Sequence, residues 1–173
     1  MATERIIELH ALPADRRLAR LAALAIVLAL FDAGIPTPLP GIKPGFANIV
    51  TLLALERLGL RAAIAVSVLR IFAAALLLGS LFTPGFFLSA AGGAASLLGL
   101  ALAHRLPRRL FGPVTLSLIA AFCHIGGQLL LARVWLIPSN GLGYFVPLFA
   151  AAAFVTGTLN GIMTTRLLAS RPL

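Results

Sequence analysis

The sequence predicts an all-α, polytopic membrane protein built as a single six-helix bundle. Three observations carry that expectation. Across 173 residues the side chains are 60% hydrophobic and only 11% charged, with a mean hydropathy of +1.04. A water-soluble domain of this size needs far more charge to cover its surface. The apolar residues fall into six segments separated by short polar or proline-rich turns, and the basic residues collect at segment ends rather than along one helix face.

Taken in order, residues 1–17 read as an N-terminal cytoplasmic segment, either an interfacial helix or a frayed tail. A single transmembrane domain occupies 18–168, and 169–173 form a C-terminal tail. The first segment runs from Leu18 to Ile35. Its basic flank of Arg16, Arg17 and Arg20 is not followed by a small-residue cleavage site before Pro36, so it reads as a retained span rather than a secretory signal. Residues 36–45 hold four prolines and two glycines, which forbids helix. At membrane depth such backbone is tolerated only inside protein or beside a water-filled cavity. The loop therefore caps one face of the bundle or dips into it. The second segment, Pro44–Leu55, is short, ~18 Å as a helix. The remaining four, Ala62–Leu81, Phe86–Ala103, Gly112–Ala132 and Leu142–Thr165, are each long enough to span. None shows the period-2 alternation of a membrane barrel.

Orientation follows from Lys and Arg. In a six-span arrangement, eleven of the 14 basic residues fall on one side: Arg5, Arg16, Arg17, Arg20, Arg57, Arg61, Arg105, Arg108, Arg109, Arg166 and Arg171. The other side holds Lys43 and Arg133, and Arg70 lies within the third segment. This asymmetry places both termini in the cytoplasm, in a bacterial inner membrane. Trp135, Tyr144 and Phe145 then fall near the outer interface, where aromatic belts form. The same distribution argues against nucleic acid as the reason for the net charge of +9.

Small residues recur at four-residue spacing: Ala25, Ala29 and Ala33; Ala91, Ala95 and Gly99; and a Gly157/Gly161 pair. Such faces let helices approach closely. They suit packing within the bundle, or, on the first segment, the docking of a separate membrane subunit.

The polar groups inside the apolar segments need a reason. Arg70 lies ~13 Å into the membrane, counted from Arg61, where an arginine costs at least ~2.5–3.5 kcal/mol on insertion scales. Two readings stand: an Arg70–Asp32 pair tying the first and third helices together, or a cavity in which Arg70 binds an anion. His124 and Gln128 share one helix face, with His124 at a similar depth. Asn48 and Thr51 share another, and Thr156 and Asn160 add a stripe from the sixth segment. Lys43 could sit above them. Polar groups converging near the midplane of a small bundle are what a substrate site needs. The candidate site is therefore Asn48, Arg70, His124 and Gln128, with Lys43 and Asn160.

No catalytic residue, cofactor or metal is called for. The single cysteine, Cys123, adjoins His124, but neighbours on a helix point ~100° apart, and no other His or Cys is near in sequence. No paired-carboxylate, nucleophilic-triad or phosphate-loop pattern occurs, and no Asp-rich motif is present to hold magnesium and a diphosphate.

These residues resemble a known family. Pro40-Gly41-Ile42-Lys43-Pro44-Gly45-Phe46-Ala47-Asn48-Ile49-Val50-Thr51-Leu52 is similar to the motif G-L-K-L-G-L-A-N-I-V-T-L of the integral-membrane family called "Gx transporter" or "heptaprenyl diphosphate synthase component I". Arg70 falls where that family has its third-segment arginine. Ser89-Ala90-Ala91-Gly92-Gly93 looks like its S-L-A-G-G, and His124-Ile125-Gly126-Gly127-Gln128 like its H-N-x-G-Q. The resemblance covers roughly Ile35 to Asn160. Ile125 replaces the usual asparagine, which removes one polar group, and Pro44 replaces a leucine, which stiffens the loop.

The family itself resembles the six-helix substrate-binding (S) components of energy-coupling-factor transporters. That likeness implies an uptake role, with a coupling subunit docked on the first helix and partner ATPases. The other label implies an accessory role beside a soluble prenyl diphosphate synthase. The expected function is a membrane-embedded substrate-binding or transport protein for a small polar or anionic molecule. The alternative is an accessory component of a heptaprenyl or polyprenyl diphosphate synthase. The lipid bilayer and a small-molecule ligand are the partners common to both.

Overall fold

A computed structural model of the chain describes residues 12–36, 43–107, 111–137 and 139–170. The expected terminal stretches 1–11 and 171–173, most of the proline-rich loop (37–42), and Arg108 and Arg109 lie outside the described residues. Among these residues the chain forms six α-helices and no strand: α1 Pro13–Gly34, α2 Phe46–Leu58, α3 Leu60–Leu77, α4 Pro84–Ala103, α5 Pro113–Leu131 and α6 Val146–Ala169. A π-helical turn, Ala132–Leu136, follows α5, and a 3-10 turn, Asn140–Phe145, leads into α6.

Local chemistry explains the boundaries. Pro13, Pro84 and Pro113 each open a helix, where the missing N–H is no loss and φ is already set. That is why α1 reaches back to Pro13, and the Asp15 carboxylate accepts the Leu12 N–H at 3.0 Å to close its first turn. Thr83 caps α4: its hydroxyl accepts from the Phe86 N–H at 3.4 Å and donates to the Ser80 carbonyl at 2.7 Å. Gly59, at φ 88°, is the whole connection between α2 and α3. Only glycine takes that backbone conformation without strain.

Packing groups α1, α2 and α3 together and α4, α5 and α6 together, with α2 also touching α5 and α6 and α3 touching α4. Buried α2 is apolar nearly all round, with Ala47 and every residue from Ile49 to Leu55 buried. That is the mark of a helix surrounded by others. It packs into a dry core with Leu21, Ala25, Ala63, Val66, Leu100 and Leu116. This core fills the half of the bundle toward the C-terminal end of α2, where the Arg57 guanidinium donates to the Leu167 carbonyl of α6 at 2.9 Å.

Among the described residues four helical stretches are long and apolar enough to cross a membrane: Leu60–Leu77, Pro84–Ala103, Pro113–Leu136 and Gly141–Ala169. Large apolar side chains on their outer faces, such as Leu76, Leu98, Leu130 and Phe154, stand exposed, as lipid contact requires. The other two helices differ from the six-span expectation. At 13 residues, α2 extends ~20 Å against a hydrocarbon core of ~30 Å. The longer α1 carries Arg16, Arg17, Arg20 and Asp32 along its length.

The small-residue faces pack inside the molecule. A β-carbon on Gly127 of α5 would lie 2.6 Å from Ala95 Cβ and 2.8 Å from the Ala91 carbonyl oxygen of α4. One on Gly161 of α6 would lie 2.6 Å from Val114 Cα of α5. On α1, Ala25 is 0% exposed in the core, and Ala29 and Ala33 border the cavity, so this face turns inward, as the packing alternative has it. The apolar face that α1 turns outward is Leu24, Val27 and Phe31.

Candidate functional site

Above the N-terminus of α2, where further turns of that helix would otherwise run, the bundle encloses a cavity of about 780 Å³. Its walls come from α1, α3, α4, α5 and α6, and α2 contributes only Ala47 and Asn48 at the floor. Non-helical backbone at Lys43, Pro44 and Gly45 borders it. This is the setting in which irregular backbone survives at membrane depth.

A glycine and two side chains hold that floor. Gly45 takes a left-handed conformation, φ 72°, to turn the chain into α2. The Asn160 amide of α6 donates to both the Pro44 carbonyl, at 3.2 Å, and the Gly45 carbonyl, at 3.1 Å. From α1, an Asp32 carboxylate oxygen accepts the Ala47 N–H at 3.3 Å. So α2 begins in mid-bundle with its first backbone groups answered from two other helices. Its positive dipole end faces the cavity.

Arg70 of α3 reaches across this floor. It is 8% exposed, and its Nη2 donates to Asn48 Oδ1 at 2.7 Å. The expected Arg70–Asp32 alternative is thereby resolved: Asp32 stays within electrostatic range of Arg70 and Lys43, but its hydrogen bond goes to the α2 backbone and that of Arg70 goes to Asn48. From the facing wall, His124 and Gln128 of α5 lie over Gly92 of α4. A β-carbon on Gly92 would stand 2.8 Å from His124 Cε1 and Nε2 and 2.9 Å from Gln128 Cγ. Gly92 is thus the space in which these two side chains lie, while Gly93 faces Ile71 of α3.

All six residues singled out from the sequence, Lys43, Asn48, Arg70, His124, Gln128 and Asn160, border this one cavity. Their tasks divide. Asn160 is committed to the backbone of 44–45, whereas Arg70, His124 and Gln128 face one another across the open space. Thr156 borders the cavity too, although its hydroxyl donates to the Ala152 carbonyl at 2.8 Å. Thr51 does not reach it; it is buried, with its hydroxyl 3.5 Å from the Ala47 carbonyl oxygen. Cys123 is also turned away, its sulfur against Gly99. The sequence reading did not count Asp32, Ser89 or Ser117 among the site residues, yet all three border the cavity. Ser89 carried a signal, since it opens the Ser-Ala-Ala-Gly-Gly stretch. Ser117 carried none.

Three buried polar atoms here have no hydrogen-bond partner among the described residues: Arg70 Nε, His124 Nδ1 and Asp32 Oδ1. Each such atom costs about 1–3 kcal/mol, and native proteins rarely collect them without a use. Two cations, a dipole end and one carboxylate give the floor an excess of positive charge. An arginine with hydrogen-bonding neighbours matches a carboxylate or phosphate geometrically as well as electrostatically.

Over residues 21–167 the chain matches the family model described as heptaprenyl diphosphate synthase component I. No curated protein and no solved structure matches it. The likeness to energy-coupling-factor S components rests on the sequence motifs alone.

Proposed function

The chain belongs to the heptaprenyl diphosphate synthase component I family, and from that membership we propose a membrane-embedded accessory component of a polyprenyl diphosphate synthase. In this role it holds a small anionic or strongly polar molecule in the cavity above α2. The observation that supports binding most strongly is Arg70, nearly buried at the floor of a cavity of about 780 Å³. A guanidinium at that depth costs at least ~2.5–3.5 kcal/mol, and an anion beside it offsets the cost. Asn48, His124 and Gln128 would supply hydrogen bonds, and Lys43 a second charge at the floor. The chain has five acidic residues and no aspartate-rich motif of the kind that binds magnesium and a diphosphate. Bond formation is therefore assigned to a soluble partner synthase. The sorting of Lys and Arg supports a bacterial inner-membrane location with both termini cytoplasmic.

Affinity purification of the tagged full chain from native membranes tests the partnership. A soluble prenyl diphosphate synthase should co-purify in stoichiometric amount. Its absence under conditions that keep the bundle folded would end the accessory reading.

A second reading is favoured by the position of the cavity. A site walled by five helices near the middle of a bundle is the form of a carrier's binding site, and the chain would then be the substrate-binding component of an uptake system driven by a coupling subunit and ATPases. Because Ala25, Ala29 and Ala33 face inward, such a subunit would have to dock elsewhere. Ligand accumulation in vesicles that depends on ATP and on added partner subunits would favour this reading over the first.

A further inference from the structure

The class of ligand follows from how polarity is sorted along the cavity, given the binding role proposed above. At the level of Arg70 the walls carry Asn48, His124 and Gln128. Toward the mouth, at the end of the bundle opposite Arg57, they turn apolar. Leu78 lies ~12 Å beyond Arg70 along α3, and it is faced by Phe86 from α4, Leu136 from the end of α5, and Leu142 and Phe149 from the α6 side. Among the described residues the polar side chains in this upper region are Ser80, whose hydroxyl lies 3.4 Å from the Ala75 carbonyl oxygen, and Ser89.

A small hydrophilic anion would occupy only the floor of about 780 Å³ and leave water against the apolar walls, which is unfavourable. A wholly apolar guest would fill the upper part and leave Arg70 unanswered. We propose that the cavity takes an anionic amphiphile, its charged head on Arg70 beside Asn48, His124 and the N-terminal end of α2, and its apolar chain along Leu78, Phe86, Leu142 and Phe149. Short-chain prenyl diphosphates and anionic membrane lipids share this chemistry.

Isothermal titration of the full chain in a non-ionic detergent, with geranyl diphosphate, inorganic pyrophosphate and geraniol, separates head from tail. Geranyl diphosphate should bind at least tenfold more tightly than either fragment. Arg70→Ala should abolish that binding, and Phe149→Asn should shrink the advantage over pyrophosphate while leaving pyrophosphate affinity in place. The wild-type comparison stands even if a variant fails to fold. Displacement of geranyl diphosphate by dioctanoyl phosphatidic acid would support the amphiphile class with the bilayer as its source. Resistance to displacement would support it with a prenyl diphosphate as the source. Pyrophosphate binding as tightly as geranyl diphosphate overturns this inference and leaves the anion site intact. Geraniol binding as tightly overturns the inference because the head contributes nothing. If none of the three binds to folded protein, the inference fails together with the binding role on which it rests.

Discussion

Asn48 and Arg70 form the shortest side-chain pair on the cavity floor, at 2.7 Å, and the chemistry of the site turns on it. Replacing Arg70 by alanine removes the buried charge without opening the dry core, so the expected result is loss of ligand binding with an unchanged or higher melting temperature in detergent. Melting that falls well below wild type would instead make Arg70 structural. Gly92 gives a sharper test, because its β-carbon would collide with side-chain atoms only, 2.8 Å from His124 and 2.9 Å from Gln128. Gly92→Ala should weaken binding about tenfold or more while changing stability little, as read by titration and melting on one sample. The polar residues that border the cavity were legible in the sequence because polar groups at membrane depth are costly and few. Asp32 was legible as a charge but not as a clamp. Its bond to the Ala47 N–H depends on the three-dimensional approach of α1 to the start of α2, which no spacing records. Thr51 misled for a related reason: three-residue spacing puts it near the face of Asn48, but α2 is enclosed below its first turn.

The decisive element is α2, whose shortness makes room for the cavity. Two connections hold it in place, and each yields a prediction. Gly59 at φ 88° and ψ 179° should tolerate alanine poorly, with Gly59→Ala costing about 1–3 kcal/mol in a detergent or denaturant unfolding series. Asn160→Ala removes the two bonds to the backbone of 44–45. Hydrogen bonds between membrane helices average only ~0.6 kcal/mol, so the fold should survive while the floor loosens and ligand affinity falls. On the other side of the bundle, Gly127→Ala sets a β-carbon against the Ala91 backbone, and overpacking of this kind costs about 1–3 kcal/mol. A melting curve that matches wild type would contradict the tight α4–α5 contact. The helices themselves were readable from runs of apolar residues, but those runs put the first and fourth starts at Leu18 and Phe86, whereas the prolines open the helices at Pro13 and Pro84. What the sequence left open was which way a small-residue face points. The alanine spacing on α1 suits an outer docking surface and an inner packing surface equally, and only the position of α2 and α3 against Ala25 decides between them.

At the scale of the whole molecule, a dry half packed around α2 is joined to a half that encloses a cavity, with apolar side chains turned outward around both. Composition alone announced the lipid-facing exterior, since 60% hydrophobic residues cannot be hidden in a bundle this small. The cavity was inferred from polar residues in different segments at one depth, but its size and its apolar mouth were not readable, because they depend on where α2 stops relative to its neighbours. The account therefore rests on water reaching the middle of the bundle. Single cysteines introduced as Ser89→Cys and Thr156→Cys, in a Cys123→Ala background, test this most directly with a membrane-impermeant thiol reagent. The lipid-facing controls are Leu98→Cys and Phe154→Cys, at positions 66% and 57% exposed on the outer surface. In membrane vesicles exposing the cavity mouth, the first pair should be modified and the second should resist, because the reagent needs a hydrated thiolate. If Ser89→Cys and Thr156→Cys prove as unreactive as the lipid-facing controls, the interior is dry and the binding role is contradicted.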